Sequence, residues 1–133
     1  MTNEEVKTKE TLSIEPAECR ISVHSFSESL MDKEVFFHVT KMKDCFMLWI
    51  GNKPASMNNL AVAIDTKFDS VPSSSLLMGD VSDLQPTALA QKLAKSTGKQ
   101  VFVSCSLPAV DQLMVSLVEK RLTEEMKANP DKF

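Results

Sequence analysis

The stretch Glu34–Gly51, EVFFHVTKMKDCFMLWIG, decides the fold. Its first part, EVFFHVTKM, is rich in aromatic and β-branched side chains, as is CFMLWIG after the polar pair Lys43-Asp44. Two such runs joined by a short polar turn predict an antiparallel hairpin. Lys-Asp is not a strong type I′ pair, so the loop type stays open. With a two- or four-residue loop, Val39 lies opposite Leu48 and Phe37 opposite Ile50. One face then holds Phe37, Val39, Phe46, Leu48 and Ile50. The other holds Phe36, His38, Thr40, Met42, Met47 and Trp49, which is amphipathic rather than solvated. A three-residue loop shifts the pairing and still leaves both faces largely apolar.

Working outward, alternation begins at Arg20, with Ile21 and Val23 on one side and Ser22 and His24 on the other. SESLMDKE (27–34) then reads as a polar connection to the hairpin. Beyond Gly51, NKPASMN is a loop by its Pro and Asn content. LAVAI (60–64) is a fourth strand, in which Leu60, Val62 and Ile64 alternate with Ala61 and Ala63. VPSSSLLMGD contains a short fifth, bounded by Pro72 and Gly79.

The segment 82–99 predicts a helix, with Ser82 or Asp83 as cap, Pro86 in the first turn, Leu89 and Leu93 four apart, and Gly98 as the stop. QVFVSCSL is strand six. In the last helix Val110, Leu113, Met114, Leu117, Val118, Leu122 and Met126 recur at helical spacing, and NPDKF ends it. The order βββββ-α-β-α predicts an α+β fold with a six-stranded, largely antiparallel sheet and two main helices. Residues 1–18 are polar and aperiodic and are read as a flexible acidic extension; 19–133 form a single domain.

The chain has 133 residues, enough for one core, and its longest apolar runs are too short for a transmembrane helix. The acidic, polar N-terminus MTNEEVKTKE is unlike a signal peptide or presequence, so the cytosol, with access to the nucleus, is the expected location. The net charge of −3 equals that of residues 1–18 alone, where Glu4, Glu5, Glu10, Glu15 and Glu18 face Lys7 and Lys9. The remaining body is neutral and has no basic run, which argues against nucleic acid.

Chemistry finds little purchase. Cys19, Cys45 and Cys105 are widely spaced, and two histidines complete the soft-ligand inventory, so no metal site is expected. The three glycines build neither GxGxxG nor a phosphate loop, and STGK lacks the upstream glycine. Cys45 with His24 or His38 as base lacks any protease-type context, and Cys105 sits inside a strand. No catalytic residue and no cofactor are expected; this is not an enzyme.

What the hairpin raises instead is a burial problem. Two helices can cover one face of a six-stranded sheet, and an uncovered Phe36, Met47 and Trp49 exceed what monomers usually expose. Mixed polar and aromatic composition also suits an interface core. The expectation is that the second sheet face is used for dimerisation, through Phe36, His38, Met47 and Trp49. The alternative is that loops or the N-terminal segment fold over it.

Five strings then resemble one family, in order and with matching spacing: FHVTKMKDCFMLWIG, NLAVAI, FDSVPSSSLLMGDVSD, LAQKLAKSTGKQVFVS and VEKRLTEEMKANPDKF. From about Ile21 onward the sequence resembles the proteasome assembly chaperone 4 family. That resemblance implies a non-enzymatic chaperone that forms a heterodimer with proteasome assembly chaperone 3. It further implies transient contact with proteasome alpha-type subunits, help in building the alpha ring, and departure before the particle matures. The loops GNKPASMNN and KFDSVPSSS are candidates for the alpha-ring contact. No membrane partner is implied. A small dimeric signalling or trafficking adaptor shares the missing active site and the apolar strands, and stands as the alternative.

Overall fold

The hairpin forms with the register its two-residue loop dictates. In the computed structural model, which describes residues 12–80, 85–107 and 112–133, strand β2 (Lys33–Met42) pairs antiparallel with β3 (Cys45–Gly51). Val39 lies opposite Leu48 and Phe37 opposite Ile50. The turn closes at Met42 and Cys45, with Asp44 at φ 60°, the left-handed region that Asp tolerates better than most residues.

Strand β1 (Ser22–Leu30) precedes this hairpin and pairs antiparallel with β2. Here the expected polar connection over 27–34 is corrected: only Met31 and Asp32 form the turn, both at positive φ. Ser27 and Ser29 face away from the helices, while Glu28 and Leu30 face towards them. Polar side chains on both faces mask the period-2 pattern, so a strand of this composition resembles a loop.

Strands β4 (Leu60–Ile64) and β5 (Ser73–Met78) form a second antiparallel pair. Strand β6 (Gln100–Ser106) joins the halves, antiparallel to β4 and parallel to β3. The sheet order is β1-β2-β3-β6-β4-β5, so four of its five pairings are antiparallel. The single parallel pair follows from connectivity, since the chain returns to the starting end of the sheet through a helix before entering β6.

Helix α1 (Gln85–Thr97) buries Leu89, Ala90, Leu93 and Ala94. It stops at Gly98, whose N–H donates to the Ala94 carbonyl at 2.9 Å and whose φ of 68° suits glycine. Below it, Ala61 and Ala63 are the buried residues of β4, whereas Leu60, Val62 and Ile64 lie on the other face. Small side chains on both elements let helix and sheet approach closely. Helix α2 (Gln112–Ala128) buries Met114, Val118, Leu122 and Glu125, while Leu113 is exposed. The expected cap at Ser82 or Asp83 and the apolar Val110 lie outside the described residues.

The core sits between these helices and one sheet face. Phe37, Phe46, Leu48, Ile50, Val101 and Val103 are all essentially inaccessible. Burying each large apolar side chain contributes about 1.5–3 kcal/mol. A short 3-10 turn (Pro130–Lys132) brings Phe133 back into the core, where its ring meets Phe46 edge-on at 5.7 Å. Lys41 Nζ donates to the Asp131 carbonyl at 2.7 Å and Lys99 Nζ to the Phe133 main-chain oxygen at 2.6 Å, fixing this end.

Candidate interaction face

Because side chains alternate along each strand, the residues opposite the core share the other sheet face. The register places Phe36, His38, Met47 and Trp49 there together: His38 pairs with Trp49, and Met47 with Thr40. Strand β1 adds Val23 and Ser25, β6 adds Phe102, and β4 adds Leu60, Val62 and Ile64. Phe36, Met47, Trp49, Val62 and Phe102 are half-buried, His38 is exposed, and Val23 and Ile64 are among the exposed large hydrophobics. His38 Nδ1 shares a 2.9 Å hydrogen bond with Ser25 Oγ. Both helices pack on the opposite face, through α1 with β4, β5 and β6 and α2 with β1.

Among the described residues, one segment does cross this face. The loop 52–59 comes back over β2 and β3. There the Trp49 indole Nε1–H donates to the Ser56 carbonyl at 2.8 Å, and Lys53 Nζ sits 5.1 Å from the centre of the Phe36 ring. Trp49 leans over Gly51, its neighbour two residues on, and a Cβ at Gly51 would collide with the indole. The alternative that loops fold over the face is thus realised in part. Sequence reasoning missed this strap, although a glycine two residues from the sole tryptophan, on the same strand face, is a readable sign of close approach.

At the far end of the loop, Asn59 acts as a piece of strand. Its Nδ2 donates to the Cys105 carbonyl at 2.8 Å, and its Oδ1 accepts from the Cys105 N–H at 2.9 Å. Asn58 N–H donates to Ser106 Oγ at 3.1 Å. The loop is therefore anchored at its end and held in its middle by Trp49.

On the helix side, a buried carboxylate organises the junction of α2 with β1. Glu125 is 7% exposed; it accepts from His24 Nε2 at 2.9 Å, Arg121 at 2.8 Å and Asn129 Nδ2 at 2.7 Å. Arg121 also donates to Glu28 at 3.0 Å and lies 4.9 Å from the centre of the Phe26 ring, which itself stacks on Phe37. The His24 hydrogen bond, with those of Arg121 and Asn129, holds the Glu125 carboxyl below the ordinary carboxylate range, against the opposing effect of burial. These contacts read as a structural clasp, since every polar atom of Glu125 is engaged from within the chain.

The residues weighed for thiol chemistry are not assembled. His24 is committed to Glu125 and His38 to Ser25, and Cys45 lies beside the β2–β3 turn opposite Met42. Cys105 lines a cavity of about 500 Å³ between the helices, with Leu89, Leu107 and Val118 as its apolar walls. Among the described residues, no group of three His, Cys, Asp or Glu is placed to hold a metal, and no helix is long and apolar enough to cross a membrane.

Fold and face define a class: an α+β protein with its helices on one side of a six-stranded sheet and a largely apolar face on the other. Residues 34–107 match the family described as Proteasome assembly chaperone 4. The Homo sapiens protein named Proteasome assembly chaperone 4 is 48% identical over 113 residues, covering 85% of this chain and 91% of its own. The Mus musculus protein of the same name is 44% identical over 117 residues, covering 88% and 94%. The chain belongs to the proteasome assembly chaperone 4 family. These relatives are named for assembly, a non-catalytic role, and this chain is not an enzyme. A chain from the crystal structure of a chaperone complex for yeast 20S proteasome assembly shares the fold, with a TM-score of 0.55 at 16% identity over 82% of this chain and 95% of that one.

Proposed function

We propose that this chain forms a heterodimer with proteasome assembly chaperone 3 through its open sheet face, centred on Phe36, His38, Met47 and Trp49. The pair promotes assembly of the alpha ring of the proteasome core particle and leaves before maturation. The observation that carries the pairing is the placement of both helices on one side of a six-stranded sheet. Half-buried aromatic and aliphatic side chains are left on the other. Such a face is covered efficiently by a second sheet packed about 10 Å away.

The alpha-ring contact is a separate surface. A chaperone with no bond to break acts by stabilising one arrangement of subunits and occluding wrong neighbours. Transience calls for a modest, polar contact, which suits loops better than the apolar face. The loop between β4 and β5, 65–72, presents a fully exposed Phe68 between Lys67 and Asp69; the other candidate, 52–59, crosses the sheet face itself, and Ser73–Ser75 belong to β5. The site of action is the cytosol, with access to the nucleus.

Mass spectrometry of what a gently tagged copy captures from native lysate tests the proposal. Alpha-type subunits with proteasome assembly chaperone 3, and few or no beta-type subunits, are expected. Capture of a GTPase complex, or of no stable protein, would overturn it.

A further inference from the structure

Resting on the pairing just proposed, we infer that residues 52–58 are a displaceable strap, which the partner chaperone must lift from Trp49 to seat on the open face. A sheet packed against this face needs the layer of space directly above it, about 10 Å deep, for interdigitating side chains. The strap already occupies part of that layer, because its Ser56 carbonyl is within hydrogen-bonding distance of an indole on the face. Strap and partner therefore exclude one another over the upper halves of β2 and β3.

The strap is held lightly, as a displaceable element must be. Among the described residues its polar holds are the Trp49 indole on the Ser56 carbonyl, the cation–π contact from Lys53 to Phe36 and, near its end, the Asn58 N–H on Ser106 Oγ. Grooves of about 380 Å³ and about 330 Å³, both open to solvent and both lined in part by Ala55, run where the strap meets β2 and β3. Residues 53–58 are all exposed, whereas both ends, Gly51 and Asn59, are buried. The segment is thus hinged between fixed points.

The strap has a further consequence for specificity. While it is down, Trp49 and Phe36 are partly shielded, so weak apolar partners, including a second copy of this chain, meet a smaller patch. A partner with high affinity for the open state displaces the strap by differential binding. The apparent affinity is lowered by the fraction of molecules in the closed state, and any change that loosens the strap raises it.

This predicts a sign that a simple interface cannot produce. Lys53→Ala removes the cation–π tether and Ser106→Ala removes the acceptor for the Asn58 N–H; both leave Phe36, His38, Met47 and Trp49 in place. Each variant of the full chain is compared with wild type for binding to recombinant proteasome assembly chaperone 3 by stopped-flow and calorimetry, after circular dichroism and melting have verified the fold. Loss of one such tether, about 1 kcal/mol, is expected to raise the association rate or affinity about fivefold. Unchanged or weakened binding in both variants would overturn the strap while leaving the pairing intact. No binding by wild type and by both variants would overturn the pairing itself, and the strap's role with it.

Discussion

At Gly51 the absence of a side chain is what lets the Trp49 indole lie along its own strand. Gly51→Ala is expected to push the indole outward, lowering stability by about 1–3 kcal/mol as overpacked substitutions do. A red shift in the emission of the sole tryptophan, together with a lower melting temperature, is the measurement. The carboxylate of Glu125 gives a second residue-scale prediction. Its folded-state pKa is depressed, so the clasp contributes fully above the ordinary carboxylate range, and the contribution is lost as pH falls through the lower, folded value. Glu125→Gln should cost about 1–3 kcal/mol at neutral pH, from weakened charge-assisted bonds to half-exposed partners. It should also flatten the acid limb of stability measured by urea titration from pH 7 to pH 3. Gly51, two residues from the sole tryptophan, carried a readable sign of its role in sequence; Glu125 did not. Glu125 looks like a solvated helix position next to Glu124, and only the fold brings His24 to it across 101 residues of chain.

The elements divide by how much of their pattern is local. The β2–β3 hairpin was legible as a hairpin with one strongly apolar face, and the structure selected the two-residue loop among the registers left open, pairing Val39 with Leu48. Strand β1 was half hidden, since serines on one face and Glu28 on the other carry no alternation of hydropathy. The chain end NPDKF was expected only to stop a helix, yet it returns a phenylalanine to the core. Phe133→Ala is therefore expected to destabilise the protein by about 3–5 kcal/mol, as truncation of a buried aromatic does. Phe68→Ala, at a side chain that is 98% exposed, should change stability by less than about 0.5 kcal/mol. Parallel thermal melts check both; equal losses would mean that the Phe133 ring contributes nothing to the core.

For the whole molecule, the proposed function turns on one asymmetry: both helices lie on the same side of a six-stranded sheet. Phe36→Ala should weaken the proposed pairing by about 1–2 kcal/mol, in the range of a well-packed interface residue, with little change in melting temperature. Leu48→Ala, on the core face of the same hairpin, should cost about 2–5 kcal/mol of stability. Calorimetric titration and thermal melts of the two variants separate the faces; a Phe36 variant that unfolds as readily as the Leu48 variant would place Phe36 in the core. Trp49 is a less discriminating probe than its place in the sequence suggests, because it also holds the strap. Taken alone, the sequence determined the element order, the two faces of the hairpin and the α+β class. These depend on local alternation, helical spacing and residue types, which neighbours in the chain carry themselves. Tertiary structure decided the parallel β3–β6 pairing, the common side taken by the helices, the clasp at Glu125 and the strap across Trp49. Those arrangements join residues tens of positions apart, and their energies exist only once closure of the chain has brought the partners within contact distance.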